Sequence, residues 1–429
     1  MTVLSSSVPK NRRPPRTPLL PQKSDDESFD AHGSGFDGAS NSGAVFKLST
    51  TIVGAGIMGL PATVNQLGLI PGLLTIICVS MLTKSSIDMI LRFSRASKSA
   101  TYSGVAADAF GAPGCNILQA CIVINNLGML VVYMIIIGDV LSGTWEDGFH
   151  HRGLMEEWFG EHWWTTRSAL LLLTTLFVFA PLISFKRVNS LRYISTLSVG
   201  LALVFVAITA GVVVVKLIEG KIGMPRLMPK LVNQASFWKL FTSVPVVVTA
   251  YICHHNNKSC FFGVVLFGDH TMDDVIANFD GDLGIPYSLL LDDLVRVSYG
   301  LHLMLVFPIV FFSLRLNVDG LLLPYAIPIA FDDRRFFSVT VALMGFILMG
   351  ANCVPSIWDA FQFTGATAAV CVGFIFPAAI TLRDTHGIAT KNDRLISWMM
   401  IFLAVSTSTV AVTSDIYSLF FSVDKGITS

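Results

Sequence analysis

The sequence predicts an all-α polytopic membrane protein, and three observations carry the prediction. Of 429 residues, 53% are hydrophobic and only 14% charged, against about 25% charged in soluble domains. Mean hydropathy is +0.65. Ten apolar runs follow one another along the chain, each near the roughly twenty residues that cross a bilayer. The charges balance, with Lys+Arg 29 and Asp+Glu 29, so no basic field draws phosphates and nucleic-acid binding is excluded. The seven cysteines form no Cys-x-x-Cys pair and mostly sit inside apolar runs, where Cys behaves as a small hydrophobe. No disulfide framework, metal site or cofactor is expected.

Residues 1–43 are rich in Ser, Pro, Arg, Lys and Asp without an apolar run, and are expected to form a disordered tail. They hold no signal-peptide core. Lys10, Arg12, Arg13, Arg16 and Lys23 place this tail in the cytosol by the positive-inside rule. The transmembrane domain, 44–421, divides into halves at 44–217 and 237–421, and 422–429 form a C-terminal tail. Spans are expected at 44–68, 70–93, 114–141, 168–185, 193–217, 237–257, 294–314, 335–353, 358–382 and 395–421.

The loop charges test this order. Lys84, Arg92, Arg95 and Lys98 follow the second span, and Lys186, Arg187 and Arg192 the fourth, as cytosolic loops should. Glu146, Asp147, Glu156, Glu157 and Glu161 crowd 142–167, which suits the opposite side. Residues 216–239 run against the rule, carrying Lys216, Lys221, Arg226, Lys230 and Lys239 where parity places them outside. The stretch 259–268 is apolar but only ten residues long, which as a helix reaches about 15 Å of a roughly 30 Å hydrocarbon core. Yet the seven aspartates of 269–293, and Arg315, Arg334, Arg335, Arg383, Lys391 and Arg394 beyond them, alternate correctly only if 269–293 is external.

Two spans are interrupted. Gly54, Gly56, Gly59 and Pro61 lie within the first, where interior Gly costs roughly 1 kcal/mol and Pro roughly 3 kcal/mol against Ala, so the span should unwind partway. The second holds Pro245 and a polar end at His254 to Asn257. Unwound backbone survives at membrane depth only around a cavity or inside protein. Two interrupted helices opening two halves are the pattern of inverted-repeat transporters; kinks serving only close helix packing are the alternative. The same glycines spell G-x-G-x-x-G, but Pro61 interrupts the helix a dinucleotide loop needs and the first acid is Asp88.

The words Leu48-Ser-Thr-Thr-Ile-Val-Gly-Ala-Gly-Ile-Met-Gly-Leu-Pro61, Thr249-Ala-Tyr-Ile-Cys-His254, Leu266-Phe-Gly-Asp269, Val295-Arg-Val-Ser-Tyr299 and Gly365-Ala-Thr-Ala-Ala-Val-Cys-Val-Gly-Phe-Ile-Phe-Pro377 resemble the amino acid/auxin permease family. The likeness is to its vacuolar-type plant members and the related sodium-coupled neutral amino acid transporters, and runs from about residue 44 to 421. It implies an eleven-span LeuT-type inverted-repeat fold whose first and sixth spans unwind to hold an amino acid, with transport coupled to protons or sodium. It also favours an endomembrane such as the vacuole, the plasma membrane being the alternative. The chain departs from the pattern after Ser259, where an intracellular loop and most of a seventh span are absent.

An amino acid brings a carboxylate and an ammonium into a low-dielectric cavity, and both need fixed partners. Physics and resemblance together assign the carboxylate to the amides of Gly54, Ala55, Gly56, Ile57 and Met58 at a half-helix N-terminus, with Thr51 also counted in the substrate site. Carbonyls and hydroxyls over Thr249, Tyr251 and Cys253 would take the ammonium. Thr50 and Thr51 either coordinate an ion or bond back to the preceding turn. In the sodium-coupled branch the eighth span supplies hydroxyls, but the corresponding stretch here is Leu303-Met-Leu-Val306, so a proton is favoured over sodium. His302 and His254 are proton-coupling candidates, with Arg296 and Tyr299 beside the former and His255 beside the latter. The plainer readings are a helix-end cation, a hydrogen-bonded core histidine and an interfacial helix end. Asp359 and Gln362 read as a satisfied polar pair.

No nucleophile stands at helical spacing from a base and its orienter, so no enzyme is expected; an intramembrane acyltransferase using His302 or His254 is the alternative from another class. The broken spans, with what the resemblance implies, point to secondary active transport of amino acids, neutral ones favoured, by alternating access in a lipid bilayer. An amino-acid-binding sensor or a non-transporting truncated isoform is the runner-up.

Overall fold

The computed structural model of the chain describes residues 56–99, 101–146, 149–186, 192–220, 226–229, 240, 243–249, 266, 276–279, 287–324, 326–354 and 356–426. The expected N-terminal tail lies outside the described residues, as does the stub 259–268 apart from buried Leu266. The rest is helical: α1 Gly56–Leu67, α2 Leu69–Ser97, α3 Tyr102–Ser142, α4 Leu154–Phe159, α5 Arg167–Ile183, α6 Arg192–Ile218, α7 Ser288–Leu322, α8 Asp333–Cys353, α9 Ile357–Arg383 and α10 Lys391–Gly426. Among the described residues seven helices are long and apolar enough to cross a membrane, and α5 is a shorter apolar helix. A hairpin of β1 Gly143–Glu146 and β2 Phe149–Arg152 precedes α4.

The helix ends follow from local chemistry. Thr101 caps α3 by accepting from Gly104 N at 3.1 Å, Asp332 caps α8 through Arg335 N at 3.1 Å, and Ser356 caps α9 through Trp358 N at 3.1 Å. α3 kinks at Gly111, whose backbone is not helical, just before Pro113. Thr175–Phe179 in α5, and Gly365–Ala369 and Cys371–Ile375 in α9, are wound as π-helix, a form concentrated at functional sites.

One expectation is corrected. The first span does not unwind as far as Gly59 and Pro61, because α1 runs helically through both. Proline removes a single N–H, and a buried bundle tolerates that loss where side chains bind freed or neighbouring carbonyls; Thr63, fully buried two residues on, donates to Gly59 O at 2.7 Å.

α7 is the central helix, packed on α3 and α6. Tyr299, Leu303, Phe307 and Phe311 on α7 are all buried, Phe179 of α5 stacks on Phe307 at 4.1 Å, and the run Met134–Ile137 of α3 completes this core. Met81, Phe177, Leu203 and Phe402 point outward, as a lipid-facing belt requires.

Contacts between helix ends sort the loops onto two faces. At one, the start of α2 bonds to the segment 226–229, with Leu69 N to Arg226 O at 2.8 Å and Ile70 N to Leu227 O at 3.1 Å. The hairpin and α4 lie at this face too, tied to the start of α7 by Arg296–Glu157 at 3.1 Å and Trp158–Asp293 at 3.2 Å. Ser168 at the start of α5 meets Asn352 at the end of α8 there, at 2.7 Å. At the opposite face Arg92 pairs with Asp393 at 2.9 Å, His386 with Asp108 at 2.7 Å, and Lys186 with Asp333. Arg226 therefore shares the face of the acidic 142–167 loop, as parity requires and charge counting does not. Residues 243–249 descend from this face, since Ser243 bonds Gln66 near the end of α1 at 2.7 Å. α7 starts at the same face.

Candidate functional site

The two segments singled out for their glycines and prolines converge on α9. A Cβ at Gly59 of α1 would stand 3.3 Å from the Phe361 ring and 3.3 Å from Val246 Cγ1. A Cβ at Gly365 would lie 2.2 Å from Pro245 O and 2.4 Å from Thr249 Oγ1, so only glycine lets α9 approach the backbone of 243–249 this closely. α3 presses on the other side, where a Cβ at Gly128 would stand 2.2 Å from Thr364 Oγ1.

Thr249, 1% exposed, sits at this crossing. Its hydroxyl donates to Pro245 O at 2.9 Å, with Phe361 O at 3.4 Å. A hydroxyl already donating keeps its lone pairs for a donor such as an ammonium. Gly56 is buried at the start of α1, and Ile57 and Met58 follow in its first turn, where helix amides lack intrahelical partners. Thr50, Thr51, Gly54, Ala55, Tyr251, Cys253, His254 and His255 lie outside the described residues.

His302 is elsewhere, fully buried between α7 and α6. Its Nδ1 is 2.8 Å from Ser198 O and 2.9 Å from Ser198 Oγ. A carbonyl only accepts, so Nδ1 carries the proton in this arrangement. The Tyr299 ring lies 5.6 Å away. Arg296 has the plainer role weighed for it, a helix-end cation holding Glu157 through Nη1 and the Arg152 carbonyl through Nη2. Gln362, read with Asp359 as a satisfied polar pair, accepts from Trp358 Nε1 at 3.1 Å, one helical turn back on the same face.

At the face that carries the hairpin, a cavity of about 870 Å³ opens between α5, α8 and the β1–α4 segment, with Ser142, His150, Glu156, His162, Arg167 and Asn352 in its walls. His150 Nε2 and Glu156 Oε2 are 2.7 Å apart, and Arg167 bonds Asp139. Among the described residues no cluster could hold a metal ion. What the residue pattern did not signal is the role of α9, whose two π-helical turns and Gly365 form the wall on which both segments rest.

A family model described as transmembrane amino acid transporter protein matches residues 37–259 and 257–420. The chain is similar to amino acid transporter AVT6A of Arabidopsis thaliana, 52% identical over 456 aligned positions that cover 98% of both chains. It is likewise 52% identical to amino acid transporter AVT6B of the same plant, covering 94% of both. It is 25% identical to putative sodium-coupled neutral amino acid transporter 11 of Rattus norvegicus, over 84% of this chain and 82% of that one. The 456 positions aligned with AVT6A exceed this chain's 429 residues, so AVT6A has positions with no counterpart here. The two matched stretches overlap at 257–259, beside the point where the chain is expected to depart from the family pattern.

Proposed function

The chain belongs to the transmembrane amino acid transporter family, and from that premise we propose that it carries neutral amino acids by alternating access, driven by a proton gradient across an endomembrane such as the vacuolar membrane. One observation supports this most directly: α1, 243–249 and α9 meet at buried Thr249, between Gly59 and Gly365. In this reading the first-turn amides of Gly56, Ile57 and Met58, with Thr51, Gly54 and Ala55 before them, receive the carboxylate at the positive end of α1. Thr249, Tyr251 and Cys253 receive the ammonium, and the segments rock together against the rest of the bundle. Leu303-Met-Leu-Val306 offers no hydroxyl to sodium, which leaves the proton, with Thr50, His254 and His302 as its candidate handlers.

A second reading has its own support in the junction at 257–259: a chain that binds amino acid without cycling. The experiment that separates the two is uptake of labelled neutral amino acids into proteoliposomes, with and without a pH gradient, beside a variant lengthened by a complete seventh span after Ser259. Uptake by the native chain that collapses with the gradient upholds the proton-coupled carrier. Uptake only by the lengthened variant makes this chain a non-transporting form of a transporter.

A further inference from the structure

We propose that Asp292 is a proton-binding carboxyl at the face carrying the hairpin, and that its protonation decides which acid Arg296 holds. Asp292 lies in the first turns of α7 and is 3% exposed. Both of its carboxylate oxygens are buried, and neither has a hydrogen-bond partner among the described residues. A charged carboxylate buried without a donor costs several kcal/mol, and a proton removes that cost.

The charged groups around it are Arg296 and Asp293 on α7, Lys216 at the end of α6 and Glu157 on α4. On α3, Asp139 is engaged by Arg167. Arg296 is the natural partner, four residues on and so on the same side of the helix. It is already committed, its Nη1 to Glu157 Oε2 at 3.1 Å and its Nη2 to the Arg152 carbonyl. With Asp292 protonated, Arg296 therefore clamps β2 and α4 onto α7. When Asp292 releases its proton to water, the new carboxylate competes for the guanidinium. Arg296 turns from Glu157 to Asp292, and α4 loses one of its two ties to the span, keeping the Trp158–Asp293 bond. The step moves one proton and exchanges one ion pair for another. Its use in turnover rests on the transport reading; its existence does not.

The test uses the full chain in lipid nanodiscs. Infrared difference spectra at neutral pH should show the carbonyl stretch of a protonated carboxyl that Asp292→Asn removes and Asp293→Asn keeps. Amide hydrogen exchange across 149–159, corrected for its intrinsic pH dependence, should rise on the order of tenfold from acid to alkaline pH, the worth of one charge-assisted hydrogen bond. In Asp292→Asn it should stay at the acid value. A spectrum lacking that band, or exchange that ignores pH in the native chain, overturns the proposal. If both signatures appear in a chain that carries no amino acid, the site stands and the transport reading falls.

Discussion

Arg315 offers the sharpest test of how the face opposite the hairpin is held. It is 1% exposed on α7, and its Nη1 donates to Ile183 O at 3.0 Å and to Thr340 Oγ1 at 3.1 Å, while Nη2 donates to Phe185 O at 3.3 Å. Its guanidinium stacks on the Phe336 ring at 3.9 Å. One side chain thus ties the end of α5 to α7 and α8, and brings a cation to the carbonyl end of α5. Replacing it with Met keeps the volume and removes the donors. Interhelical hydrogen bonds in membranes are worth about 0.6 kcal/mol on average and up to about 1.7 kcal/mol, so the three bonds together contribute roughly 2–5 kcal/mol. Relief of the buried charge offsets part of this. Arg315→Met should therefore destabilise the fold by about 2–3 kcal/mol. Arg315→Lys should fall between, because one ammonium cannot fork to both sides. Thermal unfolding of purified protein in detergent, followed by tryptophan fluorescence, reads the difference. A Met variant as stable as the parent would mean that desolvation cancels every bond, and the argument from geometry would fail.

Gly365→Ala forces a methyl against the Pro245 carbonyl and Thr249 hydroxyl; it should cost about 1–3 kcal/mol by overpacking and weaken amino acid binding measured by calorimetry, whereas Gly373→Ala, with nothing within 4 Å, should do neither. His302→Gln should flatten the pH dependence of uptake while the protein still folds; unchanged dependence would leave His302 a core residue held by Ser198. Burial pushes the Asp384 carboxyl up, but the Ile388 and Ala389 amides and Arg394 outweigh it and hold the group below its ordinary value. Because the folded form prefers the charged carboxylate, its stabilisation is present above about pH 4 and is lost as the pH falls through the lowered value; hydrogen exchange in the α9–α10 turn should rise in acid for the native chain and not for Asp384→Asn.

Hydropathy sufficed for helices whose apolar stretch is continuous. The spans read at 70–93, 193–217 and 335–353 appear as α2, α6 and α8 with ends shifted by a few residues, because charged and capping residues mark where lipid stops. α7 extends to Ser288–Leu322 beyond the expected 294–314, since its polar first turns are paid for by Glu157 and the hairpin, contacts that no local pattern announces. At the candidate site the composition of Gly59 and Pro245 pointed to the crossing of the two segments. The pressure from α9 was not legible: Gly365 reads as one small residue among several, and only the position of Pro245 O explains why it must be small. Arg226 misled for a related reason, because the positive-inside rule counts charges and not the backbone bonds that hold 226–229 beside α2.

Those bonds also impose a schedule on synthesis. The turn between α1 and α2 bends at Gly68, φ 81°, and a Cβ there would sit 2.6 Å from Met228 C, so the turn reaches its final form only around the segment 226–229, made much later. Until Arg226 and Leu227 leave the ribosome, the amides of Leu69 and Ile70 have only water to bond. At about 5–20 residues per second, the first helical pair must wait on the order of ten seconds or more in the membrane with its outer turn unfinished. A chain stalled or cut before residue 226 would leave the amides of Leu69 and Ile70 without the carbonyls that complete this turn.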